Sequence, residues 1–277
     1  MPDATTLDLP LPDGRHLRAH ATAADAGTAA VVWHHGTPQS GALLAPVVDA
    51  AERCGLRVVS YGRPSYGGST PRPGRTVGDA AADVRAVLDA FGVDRAASVG
   101  ASGGAPHALA CAALLPERTT AVVSIAGLAP LDGFDWSAGM AWDAALRAAT
   151  RGRTERAAVV EPAGPPPGFV DADWEALAGP WAALGADAGP AGAAFPDGPV
   201  DDDVAYAGPW GFSPADVAAP VLLVHGGRDA VVPAAHSHRL LELLPDAQLW
   251  LRPRDGHVSV LRALPVAFSW LTELDRG

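Results

Sequence analysis

The 277 residues carry 48% hydrophobic against 18% charged side chains, enough apolar material for a large core and too little charge for an extended disordered chain. A formal net charge of −11 disfavours nucleic acid or an anionic membrane as partner, and because every one of the 20 basic residues is arginine, Schiff-base and lysine-base chemistry are excluded. No run of about 18 uncharged apolar residues occurs, and the start Met1-Pro2-Asp3-Ala4 lacks the basic and apolar segments of a secretion signal, so the expected location is cytoplasmic.

At this length one α/β core with an insertion is the expected arrangement. Leu7–Leu11 and His16–His20, joined at Pro12-Asp13-Gly14, read as an opening hairpin. Ala29–Trp33 is a short apolar strand running into His34-His35-Gly36, and Val58-Val59 opens another that ends near Tyr61. From Thr76 to Phe91 the residues Val77, Val84, Val87, Leu88 and Phe91 keep helical spacing, with Thr76 and Asp79 placed to cap the start. Ala96–Gly100 reads as a strand, Ala105–Leu115 as a helix and Ala121–Ala126 as a strand.

Beyond that point the pattern changes. Residues 130–219 are rich in Gly, Pro and Ala with scattered Trp, and read as an insertion. Within it Pro165-Pro166-Pro167 and Gly189–Pro199 read as loop, Ser137–Thr150 and Asp173–Leu184 as short helices. Sheet-like order returns with Val221–Val224, a helix at Ala234–Leu244, a strand at Gln248–Leu251 and a last helix from Val258 to Leu274. The alternation predicts a parallel sheet with helices on both faces, its core formed by residues 1–129 and 220–277. Cys54 and Cys111 lie far apart without partner motifs and read as small buried residues. The histidines show no ligand pattern, so no metal is expected.

A serine hydroxyl becomes a nucleophile only with a base to take its proton, a carboxylate to orient that base and donors for the oxyanion. In Gly100-Ala101-Ser102-Gly103-Gly104 the glycines permit a cramped strand-to-helix turn that lifts Ser102 above the sheet edge, and the strand and helix this requires flank the motif. The chain order serine, acid, histidine then asks for an acid after a late strand and a histidine after the last one. Asp229 follows Val221–Val224 through His225-Gly226-Gly227-Arg228, and His257 follows Gln248–Leu251. Two backbone amides are needed for the oxyanion: Gly103 follows the serine, and Thr37 lies in the earlier strand-to-helix loop His35-Gly36-Thr37-Pro38, where Pro38 cannot donate.

These motifs, together with Arg63-Pro64-Ser65-Tyr66-Gly67-Gly68-Ser69, resemble the α/β-hydrolase superfamily from Ala29 to the C-terminus, the insertion excepted. The resemblance implies an eight-stranded, mostly parallel sheet with helices on both faces, a small helical cap inserted after the sixth strand, and no cofactor. It also implies Ser102 as nucleophile, Asp229 as orienting acid, His257 as general base and acid, and the Thr37 and Gly103 amides as oxyanion donors. Two departures stand out. The second motif of the family commonly reads Asp-Arg-Pro-Gly-x-Gly-x-Ser, but Gly62 and Ser65 replace the Asp and the first Gly, leaving open how the oxyanion loop is braced. Asp132 follows the Ala121–Ala126 strand, where some members keep their acid; Asp229 is preferred because Gly226-Gly227-Arg228-Asp229 matches the commoner placement.

Serine at the elbow argues against haloalkane dehalogenase and epoxide hydrolase chemistry. The loops look most like actinobacterial esterases and prolyl-aminopeptidase-like proteins. The expected function is cleavage of a carboxyl ester of a small, mainly apolar molecule through an acyl-enzyme on Ser102, by a monomer or homodimer. The alternatives are a prolyl-aminopeptidase-like peptidase, or a non-hydrolytic member such as a lyase, a cofactor-free peroxidase or a ligand receptor. A peptidase would need cap carboxylates for the substrate amine. Glu155, Glu161, Asp171, Asp173 and Glu175 are available, while the run Asp201–Asp203 reads as a solvated face. Trp136 and Met140 are the expected pocket residues, since the chain there has just left the active edge of the sheet.

Overall fold

The Pro12-Asp13-Gly14 turn closes the hairpin as its sequence dictates: β1 (Ala4–Pro10) pairs antiparallel with β2 (His16–Thr22), and Gly14 takes the positive φ that the turn requires. The computed structural model describes residues 4–25 and 27–274, so the start Met1-Pro2-Asp3 lies outside the described residues. After the hairpin come β3 (Ala30–His34), α1 (Ala45–Arg53), β4 (Arg57–Tyr61), α2 (Ala80–Ala90), β5 (Ala96–Ala101), α3 (Gly104–Leu114) and β6 (Thr119–Ile125). Five helices follow: α4 (Ala144–Ala149), α5 (Arg153–Ala157), α6 (Asp171–Ala178), α7 (Ala182–Ala194) and α8 (Asp197–Ala207). The chain ends with β7 (Val221–Gly226), α9 (Ala235–Leu243), β8 (Ala247–Arg252), a 3₁₀ turn (Ser259–Ala263) and α10 (Leu264–Leu274).

The described strands form one eight-stranded sheet in the order β1-β2-β4-β3-β5-β6-β7-β8, parallel from β4 through β8 with the hairpin antiparallel at one edge. Alternate residues of each buried strand face opposite layers. Val31, Trp33, Val99, Val123, Ile125 and Val224 pack with Val47 and Ala51 of α1 and Leu264, Phe268 and Leu271 of α10. On the other face Val122, Val221 and Leu223 pack with Leu109 of α3 and Leu240 of α9, and Val32 with Val84 and Leu88 of α2. Each such fully buried aliphatic side chain contributes about 1.5–3 kcal/mol. The sheet is thus a rigid platform, and parallel strands deliver all their following loops to one edge.

Three expectations need correction. Gly189–Pro199 is mostly helix, because its Ala-rich flank carries α7 across Pro190 and Pro199 falls in the first turn of α8, where its missing N–H has no helical acceptor to lose. Ser137–Thr150 is helical only from Ala144, since Asp135, Ser137 and Gly139 hold the preceding stretch in turns. Cys111 is buried, but Cys54 closes α1 and is partly exposed. No helix among the described residues is long and apolar enough to cross a membrane.

Candidate active site

Ser102 sits between β5 and α3 with φ +51°, a left-handed conformation that costs a residue other than glycine roughly 1–3 kcal/mol. The surrounding glycines make the turn possible. A Cβ on Gly100 would run into the Gly104 carbonyl, and one on Gly104 into the His34 carbonyl, so strand, turn and helix could not approach this closely with any other residue. The turn is pinned by the Ser102 amide donating to the Ile125 carbonyl at 2.8 Å. The start of α3 then points its partial positive charge at the space above the serine.

Two other strand ends converge there. Asp229, beyond β7, lies 2.7 Å from His257 Nδ1, and His257 Nε2, beyond β8, lies 2.9 Å from Ser102 Oγ. The second carboxylate oxygen of Asp229 accepts from the amides of Val231 and Val232, each at 2.9 Å. Burial pushes the Asp229 carboxyl up, but His257 and the hydrogen bonds of His225 and His257 outweigh it and hold it well below the usual carboxylate range. An ionised Asp229 can only accept, so His257 carries its proton on Nδ1 and leaves Nε2 free to accept from the Ser102 hydroxyl. Burial opposes charge on His257, yet Asp229 raises its pKa overall, with Asp173 adding in the same direction. His225 flanks the carboxylate from the other side at 3.5 Å while its Nε2 donates to the Val232 carbonyl at 2.8 Å, which fixes the loop that carries Asp229.

The loop after β3 brings Thr37 against the same space, and neither the Thr37 nor the Gly103 amide has a hydrogen-bond acceptor among the described residues. Its bracing comes from an unexpected quarter. Arg63 donates to the carbonyls of His35 and Gly36, and its own charge meets Asp202 of α8 at 2.7 Å. Asp202 also accepts from Arg75 at 2.5 Å, from the Tyr66 hydroxyl at 2.9 Å and from the Thr37 hydroxyl at 2.5 Å. Ser65 takes the left-handed conformation, φ +76°, at the position where the related motif has glycine, and its hydroxyl donates to Asp201 at 3.0 Å. The run Asp201–Asp203 is therefore not a solvated face. Asp202 is 0% exposed and Asp201 2%, and Asp203 pairs with Arg156 at 2.5 Å. Burial would neutralise Asp202, but the guanidinium groups of Arg63 and Arg75 hold its carboxyl well below the ordinary range.

Ser102 and His257 form part of the floor of a cavity of about 560 Å³. Trp142, Phe169, Trp174, Leu177 and Leu184 wall it from the segment between β6 and β7, and Ile125, Val231 and Leu261 from the rest of the chain. Trp136 and Met140 are not among these residues. Leaving β6, the chain first packs on α9 rather than crossing the sheet edge: His236 accepts from the Ala129 amide at 3.1 Å and donates to the Trp136 carbonyl at 2.9 Å. Arg147 covers the Trp136 ring, and Met140 packs on the cluster around Leu240. Asp132 lies with Trp136 in a separate cavity, away from His257. Asp173, from α6, is also fully used: one oxygen accepts from the amides of Val258 at 2.9 Å and Ser259 at 2.7 Å, gripping the chain directly after His257.

From sequence Asp173 reads as an available carboxylate and Asp202 as part of a solvated face, neither in its observed role, while Tyr206, Phe169, Leu177 and Leu184 are not identified. The spacing of Asp202 and Tyr206 places them on one helix face, but that signal is usable only once α8 is recognised, and Gly189–Pro199 reads as loop.

Similarity to known proteins agrees with this architecture. The chain superimposes on an enol-lactonase from Burkholderia xenovorans with TM-score 0.70 and 19% identity, covering 99% of this chain and 100% of that one. A thermophilic esterase from Thermogutta terrifontis gives TM-score 0.68 at 18% identity, over 98% and 99% of the two chains. A 2-hydroxy-6-oxo-6-phenylhexa-2,4-dienoate hydrolase from a Rhodococcus strain gives 0.68 at 21%, over 99% and 100%. At these identities the likeness concerns the fold. Residues 29–263 match the family described as alpha/beta hydrolase fold, and by that match, the sheet order and the serine elbow together, the chain belongs to the alpha/beta hydrolase fold family.

Proposed function

We propose that this protein is a serine hydrolase that cleaves carboxyl esters of small, uncharged, mainly apolar molecules through an acyl-enzyme on Ser102. The observation that carries the proposal is the unbroken chain Ser102–His257–Asp229, with contacts of 2.9 and 2.7 Å, on the floor of an apolar cavity. In the proposed first step Ser102 Oγ bonds the ester carbonyl carbon as His257 Nε2 takes its proton, and the carbonyl oxygen becomes an oxyanion facing the Thr37 and Gly103 amides. His257 returns the proton to the leaving alkoxide. Water, deprotonated by the same nitrogen, then releases the acid and restores the serine. The inserted helices act as the cap whose aromatic wall keeps bulk water from the site while leaving room for the one water that the second step consumes.

The lining argues for a neutral acyl group. Glu161 and His257 are the titratable residues among the described lining, so a substrate carboxylate would be buried without a counter-cation. The same lining disfavours an aminopeptidase, because a substrate amine needs an unshared carboxylate and Glu161 is held by Arg156 at 2.6 Å. Stoichiometric labelling by a fluorophosphonate, followed by turnover of p-nitrophenyl butyrate and of proline p-nitroanilide, tests the reading. The expected result is one label on Ser102, ester turnover and no anilide cleavage; anilide preferred over ester would overturn it.

The pH dependence is a second check. Only neutral His257 can accept the serine proton, and its pKa is raised by Asp229. Activity therefore rises with pH through that raised value, and the acidic limb of kcat/KM is expected above the ordinary imidazole value of about 6.5. A limb at or below it would contradict the pairing with an ionised carboxylate.

A further inference from the structure

We infer that α8 of the insertion positions the oxyanion pocket through Asp202 and Tyr206, so that the two receiving amides are aligned only while the insertion is seated on the core. The inference rests on the proposed ester hydrolysis at Ser102. Each amide is held through another atom of its own residue. Thr37 is anchored by its hydroxyl, which donates to Asp202 at 2.5 Å and accepts from Arg63 at 3.1 Å. Gly103 is anchored by its carbonyl, which accepts from the Tyr206 hydroxyl at 2.8 Å and from His107 Nδ1 at 2.9 Å. The Tyr206 hydroxyl also lies 3.3 Å from the Thr37 hydroxyl, so one phenol touches both residues.

Asp202 and Tyr206 stand four apart on α8, whose helical spacing presents them together. Both are buried, with relative exposures of 0% and 2%, so the anchors lie in a low-dielectric setting where their geometry is stiff. Neutralising Arg63 and Arg75 would by itself explain a carboxylate here, but it would not require the Thr37 hydroxyl or a phenol on the Gly103 carbonyl. Preorganised donors stabilise an oxyanion because they need no reorganisation during reaction, and that advantage is lost when they drift by a fraction of an ångström.

The test uses Thr37→Val, Thr37→Ser, Tyr206→Phe and Asp202→Asn, with p-nitrophenyl butyrate as substrate and an aryl trifluoromethyl ketone, whose serine adduct carries an oxyanion, as probe. Thr37→Val and Tyr206→Phe leave both backbone amides in the chain and serve even if Asp202→Asn fails to fold. Each is expected to lower kcat about 10- to 100-fold, less than the roughly 10²–10³ for outright loss of an oxyanion donor, and to weaken the ketone by the same factor. KM should stay within about twofold, since the ground-state ester makes little use of the pocket. Thr37→Ser restores the hydroxyl and is expected to recover most of the kcat and ketone affinity that Thr37→Val loses. A lowered melting temperature with kcat and ketone affinity unchanged would mean the contacts only secure the insertion, and would overturn the inference while leaving ester hydrolysis intact. Failure of the wild-type protein both to turn over ester and to bind the ketone would instead remove the hydrolase reading on which the inference rests.

Discussion

Ser102→Ala is expected to reduce turnover of p-nitrophenyl esters by about 10⁶-fold, the loss characteristic of a serine nucleophile removed from a triad. By the Arrhenius-type conversion of about 1.4 kcal/mol per tenfold, that is roughly 8 kcal/mol of transition-state stabilisation. The size follows from position. Ser102 Oγ is the hydroxyl that His257 Nε2 contacts, whereas the hydroxyl of Thr37, also in the cavity lining, is engaged by Asp202 and Arg63. Alanine carries the same Cβ into the same left-handed conformation at φ +51°, so the elbow keeps its shape and the melting temperature should hold. Undiminished turnover by a folded Ser102→Ala protein would sink the assignment of the nucleophile. Abolished fluorophosphonate labelling is the parallel readout.

Asp229→Asn is expected to lower kcat by about 10⁴-fold through a change of tautomer rather than of shape. Oδ1 of Asp229 accepts from two amides, Val231 and Val232, so an asparagine there would keep its carbonyl oxygen on those donors. Its NH₂ would then face His257 Nδ1 and donate to it. His257 would carry its proton on Nε2 instead, where it blocks acceptance of the serine proton. The acidic limb of the residual activity should also move down, because the carboxylate that raises the His257 pKa is gone. Asp132→Asn, in the separate cavity, is expected to leave the rate unchanged. If Asp132→Asn is the damaging change, the acid has been misassigned.

Much of the proposed machinery is legible in the sequence because strand ends are local events. A short apolar run followed by Gly-x-Ser-x-Gly announces its turn within a dozen residues, and the serine–acid–histidine order then says where to look for Asp229 and His257. The hairpin and the buried strands are equally local, since turn chemistry and apolar runs need no distant partner. Helix α1 is not assigned, because Ala45–Arg53 is only 9 residues long and its buried Val47, Val48, Ala50 and Ala51 span too little chain for a helical period to repeat. The insertion is read least well. Its Gly, Pro and Ala residues give weak periodicity, so its wall residues Trp142, Phe169 and Leu184 cannot be told from ordinary packing. Asp202 is misread for a different reason: three consecutive acids look like a surface, and the partners of Asp202, namely Arg63, Arg75 and Thr37, lie more than a hundred positions earlier.

The two buried aspartates of the insertion bear on modularity. Asp173 reaches the chain after His257, and Asp202 reaches Arg63, Arg75 and the Thr37 loop. A chimaera that swaps residues 130–219 for the corresponding segment of another family member would thus strand two buried guanidinium groups without a counter-ion, a defect of about 3–5 kcal/mol for a broken buried pair. Such a graft should fail before any question of substrate fit arises, unless Asp202 and Asp173 travel with it. The two carboxylates thus limit exchange of the segment independently of how its cavity wall fits a substrate.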